Sequence, residues 1–472
     1  MNNIEERIKA LPSYDEQLNK KWETVRSSFT HKIIVLDDDP TGVQTVHDIP
    51  VFTDWSEKDI EEVFQEERQM VFILTNSRAF SEKTTTEVHQ NIARRIAATS
   101  EKMNIPFLLI SRSDSTMRGH YPLETVVLKN TLEENSDVNF DGEIIMPFFK
   151  EGGRVTVDDV HYIKQADGYL PAGESEFAKD RMFGFKSSNL CSYVDEKTAG
   201  KFPASEVVTI SLDELRALDL EVIMKKLTQT NNFGKIVVNA VTEEDVKAFS
   251  IALLQAIEQG KNFLFRTAAS FTKVIGDVSS RPYLTKEELT SNSNDNGGLI
   301  VIGSHVQKTT NQLNMLKELD TISFIEFKVS LVKDPKAFEQ EIIRVQSFIN
   351  NHISKGQTVC IYTSRERLDL GEGMQEEELA LSVKISDAVT QFVNECTAVP
   401  SYVIAKGGIT SSDVGTKGLE VKKAEVIGQI TAGVPVWQTG ETSKFPSIPY
   451  IIFPGNVGED DTLKKVVQHL EA

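Results

Sequence analysis

Residues Lys32–Thr45 read KIIVLDDDPTGVQT, an apolar run that leads directly into three acids and a Thr-Gly turn. Ile33–Leu36 is short, β-branched and free of polar positions, the pattern of an inner parallel strand covered on both faces. Asp37, Asp38 and Asp39 follow at its carboxyl end, where open α/β sheets bind their ligands. Pro40 turns Asp39 away from helix, and Gly42 permits a tight turn. Three adjacent carboxylates repel one another, so they call for a metal, a proton or cationic neighbours. An acidic turn capping a helix would be the structural explanation. A second charged cluster behind another apolar run favours function.

That cluster is Phe107–Glu124, FLLISRSDSTMRGHYPLE, where the strand-like Phe107–Ile110 precedes Arg112, Asp114, Ser115, Thr116 and Arg118. The planar fork of arginine suits two-point recognition of a carboxylate. Ser115 and Thr116 supply hydroxyls, and Asp114 is able to take a proton from a bound hydroxyl. A third strand end, Leu74–Arg78, adds Arg78. Acids and arginines on three such loops suit a small polyhydroxylated acid. Pro147–His161 adds Lys150, Arg154, Asp158, Asp159 and His161, with Gly152-Gly153 marking a close turn.

From Lys32 to about Phe149, strand-like segments alternate with helical ones. Examples are Ile49–Thr53 and Met70–Thr75 as strands, and Ser81–Met103 as a helix capped by Ser81. Alternation predicts a parallel sheet with crossover helices. Gly152–Val194 reads as ordered loops with short elements, after which alternation resumes, with Leu212–Leu227 expected as one helix. Lys286–Gly298, KEELTSNSNDNGG, reads as a linker. Leu299–Ile302 then opens a second α/β region, with helices at Pro335–Asn351 and Glu376–Glu395. The expected organisation is a helical extension over 1–30, an α/β domain over 31–291 that binds the acid, and a second α/β domain over 292–472. Each would have a mainly parallel sheet flanked by helices, with the active site in the interdomain cleft.

The second region carries three small-residue turns after strands: Gly303-Ser304-His305, Gly407-Gly408-Ile409-Thr410-Ser411 and Gly455-Asn456-Val457-Gly458. Glycine amides and hydroxyls of this kind form phosphate cradles, and their repetition favours a nucleotide site. Neither a GxxxxGK[ST] loop nor a GxGxxG after the first strand is present.

Composition narrows the classes. The 472 residues carry a net charge of −19 with 40% hydrophobic and 26% charged content. The acidic balance argues against a nucleic-acid binder. Apolar runs are strand-sized and the amino terminus lacks a secretory core, so neither a membrane span nor secretion is expected and the cytoplasm is the default. Three scattered cysteines support neither a disulfide framework nor a zinc site. The eight histidines form no ligand pattern, so no permanent structural metal is expected. Self-association into a homo-oligomer is left open.

Taken together, these motifs resemble the four-carbon acid sugar kinase family over nearly the whole chain after residue 30. Asp38–Gly42 is similar to that family's Asp-Asp-x-Thr-Gly loop, Thr75–Arg78 to its Ser-Arg segment, and Asp114–Gly119 to its Asp-Ser-Thr-Leu-Arg-Gly element. Gly303-Ser304, Gly407–Ser411 and Gly455–Gly458 resemble its nucleotide loops, with Ile409 where the family carries glutamate. The segment Gly152–Phe185 exceeds the compact members. The resemblance implies phosphorylation of an acid-sugar hydroxyl by ATP, with Mg²⁺ accompanying the nucleotide. Asp39 or Asp114 would act as base, and Asp38, Arg78, Ser115, Thr116 and Arg118 would bind the substrate. Ser304, Gly407, Gly408, Thr410, Ser411, Gly455 and Asn456 would bind ATP. A metal-dependent dehydratase or aldolase, or a non-catalytic sensor of acid sugar or nucleotide, are the competing readings.

Overall fold

The computed structural model describes residues 4–14, 16–290, 294–365 and 375–471. The chain forms two compact units, one of residues 1–42 and 54–280, the other of residues 43–53 and 281–472. The expected boundary at residue 292 lies outside the described residues. The segment read as a linker, Lys286–Gly298, falls within the second unit and includes a short helix, Lys286–Thr290.

The first unit is built on seven strands in the order Met70–Leu74, Lys32–Asp37, Phe107–Arg112, Phe263–Thr267, Gly142–Met146, Gly234–Val238, Val208–Ile210. Every neighbouring pair is parallel. Lys32–Asp37 is buried along its whole length, as its unbroken apolar run predicts. The next two strands in this sheet, Met70–Leu74 and Phe107–Arg112, lie on opposite sides of it. That reversal of strand order is the switch point where α/β sheets place ligands. The helix Glu82–Met103 begins where expected, with the Ser81 hydroxyl accepting from the Thr84 amide at 3.2 Å. At the amino terminus, the indole of Trp22 on the helix Gln17–Ser28 donates to Asp277 at 2.9 Å.

One expectation is made specific and two are corrected. Gly152–Val194 holds a regular antiparallel sheet, Arg154–Val157, Val160–Gln165 and Gly168–Pro171, followed by the helix Leu190–Lys197. Leu212–Leu227 is two helices, Leu212–Arg216 and Leu220–Gln229, because Leu218 takes a left-handed conformation at φ 49°. Ile49–Phe52, expected among the parallel strands of the first α/β domain, belongs to the second unit. It pairs antiparallel with Lys423–Thr431 within the second.

In the second unit five strands run parallel in the order Ile322–Phe327, Thr358–Thr363, Leu299–Ile302, Val403–Lys406, Pro449–Phe453. Val434–Thr439 and Lys423–Thr431 continue the sheet antiparallel. Again the first strand of the five, Leu299–Ile302, is flanked on both sides by later ones. The apolar core of this unit packs Ile300, Ile302, Leu313, Ile404, Ile451 and Phe453 together. Among the described residues no helix is long and apolar enough to cross a membrane. All three cysteines are free and buried.

Candidate functional site

In the first unit the acids and arginines come together at the carboxyl ends of three adjacent strands. Register pairs Asp37 with both Leu74 and Arg112 across its two neighbours, so the loops beginning at 38, 75 and 113 leave the sheet side by side. The Asp38 carboxylate accepts two bonds from Arg78, Nη2 at 2.6 Å and Nε at 3.1 Å, and a third from the Ser113 hydroxyl at 2.6 Å. Arg78 reaches Asp39 Oδ2 through Nη1 at 3.4 Å. Asp39 Oδ1 accepts from the amide and hydroxyl of Thr41 at 2.9 and 2.6 Å. Arg112 lies 3.2 Å from Asp37 and 3.7 Å from Asp38.

This packing resolves the repulsion that the triplet implies. Burial works against ionisation of Asp38, but Arg78, Arg112 and the Ser113 hydroxyl outweigh it and hold the carboxyl below its ordinary range. Asp37 goes the other way. Burial, reinforced by Asp38 and Asp39, pushes it up to about 7 in spite of Arg112. Gly42 is required here, since a Cβ on it would lie 2.0 Å from the Asp37 carboxylate.

Asp114 is buried, yet Arg78 and Arg118 overcome the cost of burial and hold its carboxyl well below the usual range. Its Oδ2 takes Arg118 Nε at 2.8 Å and the Thr116 hydroxyl. The Arg118 guanidinium lies 4.9 Å above the Phe177 ring. Ser115 is buried, and its carbonyl meets His161 Nε2 at 2.8 Å. Arg78 is carried by a one-turn helix, Ser77–Ala79, that follows Asn76 in a left-handed conformation, with the Ser77 hydroxyl bound to buried Glu124 at 2.5 Å. The structure thus brings Asp38, Asp39, Arg78, Asp114, Thr116 and Arg118 into one network. It adds Ser113 and Arg266, which the sequence reading did not single out. Arg266 is the penultimate residue of the strand Phe263–Thr267 and donates from Nη2 to the Arg118 carbonyl at 2.8 Å. The available signal was a charged residue near the end of an apolar strand, as at Arg112.

In the second unit the three small-residue turns also leave adjacent strand ends. The Ser304 amide bonds the Lys406 carbonyl at 3.3 Å, and the Gly407 amide bonds the Phe453 carbonyl at 2.9 Å. The buried Thr309 hydroxyl donates to the Gly455 carbonyl at 2.9 Å and lies 3.2 Å from the Ser304 hydroxyl. Gly407 has φ +124°, and a Cβ there would come 3.0 Å from that of Ser304. Gly408–Asp413 is a short helix. Thr410 is partly exposed, Asn456 exposed, and Ile409 points outward at 66% exposure. Ser411 is buried, its hydroxyl donating to the Ala405 carbonyl at 2.8 Å. Lys406, also missed by the sequence reading, is fully buried with Nζ donating to the Pro454 carbonyl at 2.9 Å. Burial, aided by Lys308, brings its amine down to about 7.

Residues 33–275 match the model of a sugar-binding N-terminal domain, and residues 299–463 that of a nucleotide-binding C-terminal domain. A D-erythronate kinase of Heliobacterium modesticaldum is 23% identical over 419 residues, which cover 85% of this chain and 87% of that protein. A solved structure from Salmonella typhimurium LT2 superposes with a TM-score of 0.66 at 14% identity, covering 92% of this chain and 98% of that one. One from Haemophilus influenzae gives 0.59 at 16% identity, covering 93% and 100%. Those two likenesses are of fold.

Proposed function

Because the chain belongs to the four-carbon acid sugar kinase family, we propose that it transfers the γ-phosphoryl group of ATP to a hydroxyl of a four-carbon acid sugar. The observation that carries this reading is chemical: acids, hydroxyls and arginines converge on one set of strand ends, in the segment matching a sugar-binding model. The glycine and hydroxyl turns converge on another, in the segment matching a nucleotide-binding model. The kinase of H. modesticaldum makes D-erythronate the first substrate to try.

In this mechanism Asp39 is the base. One of its oxygens is fixed by Thr41 and the other faces Arg78 at the long distance of 3.4 Å, so it remains available to a substrate hydroxyl. Asp114, committed to Arg118 and Thr116, orients the substrate-binding loop. Ser115, Thr116 and Arg118 contact the acid sugar, and Arg78 acts through the two acids it holds. Ser304, Gly407, Gly408, Thr410, Gly455 and Asn456 cradle ATP, with Ser411 buttressing the turn from below. Among the described residues no three His, Cys, Asp or Glu side chains are grouped to hold a metal ion. Mg²⁺ commonly relies on one or two carboxylates plus substrate phosphates, so here it would arrive with ATP and neutralise phosphate charge.

An ADP-release screen over erythronate, threonate and 3-oxo-tetronate isomers tests the proposal. ATP-dependent formation of a phosphorylated acid is expected. Binding of acid and nucleotide without ADP release would replace the kinase by a sensor, and conversion of the acid without ATP would favour a dehydratase or aldolase.

A further inference from the structure

We propose that Arg154 grips the carboxylate of the acid sugar and so selects acids over neutral polyols, an inference that rests on the kinase reading above. Each arginine on the three acidic loops already faces a carboxylate: Arg78 faces Asp38, Arg112 faces Asp37 and Arg118 faces Asp114. Their charge is matched before any ligand arrives. Among the described residues, two nearby guanidiniums have no such partner, Arg154 and Arg266. Arg266 is 3% exposed and tied to the Arg118 carbonyl, so it braces the loop from beneath.

Arg154 is different. It is partly exposed, and among the described residues the one hydrogen bond of its side chain runs locally from Nη1 to the Gly152 carbonyl. Its Nε is buried without an acceptor. With Nη1 engaged, no hydrogen bond among the described residues uses the edge formed by Nε and Nη2, and that edge carries two parallel N–H groups at the spacing of two carboxylate oxygens. A buried donor without a partner is costly, which favours any ligand that supplies one.

The hairpin sets the direction of this side chain. Arg154 and Thr156 are two apart on the strand Arg154–Val157 and share a face. Thr156 stands opposite His161 on the neighbouring strand, its hydroxyl 3.0 Å from His161 Nδ1. His161 Nε2 in turn meets the Ser115 carbonyl at 2.8 Å. The face that bears Arg154 therefore abuts the Asp114–Arg118 loop. Burial, with Arg154 contributing, lowers the His161 imidazole to about 4, so the ring is neutral. In the tautomer these bonds require, Nε2 donates to Ser115 and Nδ1 accepts from Thr156. The other groups acting on Arg154 are Asp114, which favours its charge, and Arg118, which opposes it. A substrate carboxylate here would sit between Arg154 and Arg118.

The test compares the full-length protein with R154Q and R154K, using D-erythronate and the uncharged polyol erythritol. Steady-state kinetics with ATP and calorimetry of erythronate without nucleotide are both read. R154Q should weaken erythronate binding and raise its KM by ~10²-fold, the size expected for losing two charge-assisted bonds. Parameters for erythritol and ATP should not move. R154K, which keeps charge but not the fork, should fall between. A folded R154Q with unchanged erythronate affinity would overturn the assignment and leave the kinase reading standing. An equal loss for erythronate and erythritol would reduce Arg154 to a structural role. If R154Q does not fold, R154K decides, and wild-type affinity in it would overturn the two-point contact. A wild-type protein that neither binds nor phosphorylates any four-carbon acid would remove both readings.

Discussion

At Asp39 one carboxylate oxygen takes the Thr41 amide and hydroxyl while the other stands 3.4 Å from Arg78, whereas Asp114 is bound by Arg118 Nε at 2.8 Å. An acid held far below its ordinary range is a weak base, so the two substitutions should separate. Asp39→Asn is expected to lower kcat by at least ~10²-fold with little change in KM, the loss typical of general base assistance. Asp114→Asn frees Arg118 and should raise the acid-sugar KM more than it lowers kcat. Steady-state kinetics on both variants check this, and a near-normal kcat for Asp39→Asn would place the base elsewhere. Asp37 makes a prediction about stability. Its folded pKa of about 7 exceeds the ordinary value of 3.8, so between those limits the folded protein binds the extra proton. Wild-type stability relative to Asp37→Asn should therefore fall as pH rises from about 4 to 7, by on the order of a few kcal/mol. Urea unfolding of both proteins at pH 5 and pH 8 measures the difference. A gap that is constant or widens in favour of the wild type would contradict the burial argument.

Among the elements, those with one-signal sequences were legible and those with mixed signals were not. Ile33–Leu36 and Leu299–Ile302 are unbroken apolar runs, and both became fully buried parallel strands. Lys423–Thr431 is hard to read as a strand because Gly428 interrupts it and two irregularities break its register with Val434–Thr439. The hairpin strands Arg154–Val157 and Val160–Gln165 were hidden by Asp158-Asp159, which read as loop chemistry yet form the turn, both at positive φ. The acid and arginine cluster was visible because its residues follow strands in the sequence. The sequence does not rank Arg154 among the arginines, since only the fold shows that Arg78, Arg112 and Arg118 face carboxylates. Lys406 belongs to this scale as well, joining the end of Val403–Lys406 to the turn at Pro454. Its amine is lowered from 10.5 to about 7, so between these values the unfolded chain binds more protons than the folded one. Stability of the wild type relative to Lys406→Met should rise as pH increases from about 7 to 10.5, and thermal melts across that window check it. In the same turn, Gly407→Val forces a β-branched residue to φ +124°, strain of about 1–3 kcal/mol. It should weaken ATP binding and leave erythronate binding intact.

For the molecule as a whole, chain order and structural order do not coincide. The chain passes from the first unit into the second at Val43, returns at Asp54 and leaves again at Arg281. The early excursion supplies a strand, Ile49–Phe52, whose register with Lys423–Val426 is flanked by backbone bonds from Asp48 to Val426 at 2.6 Å and from Thr53 to Lys422 at 3.0 Å. A division of the chain at a single point near residue 292, natural from the linker composition, would strip the second unit of that strand. It would also remove Leu284 and Leu289, which belong to its core. The unpaired edge of Lys423–Thr431 would then be open to pairing with other chains, the usual hazard of an exposed strand edge. A fragment of residues 281–472 should accordingly be prone to aggregate and bind ATP weakly. The same fragment carrying residues 43–53, joined to its amino terminus by a flexible linker, should aggregate less and bind ATP more tightly. Neither should phosphorylate an acid sugar, because transfer needs both reactants held in one geometry. Light scattering and calorimetry on the two fragments give the answer. If residues 281–472 alone are monomeric and bind ATP normally, the borrowed strand is dispensable and the second unit folds from its carboxyl-terminal segment alone.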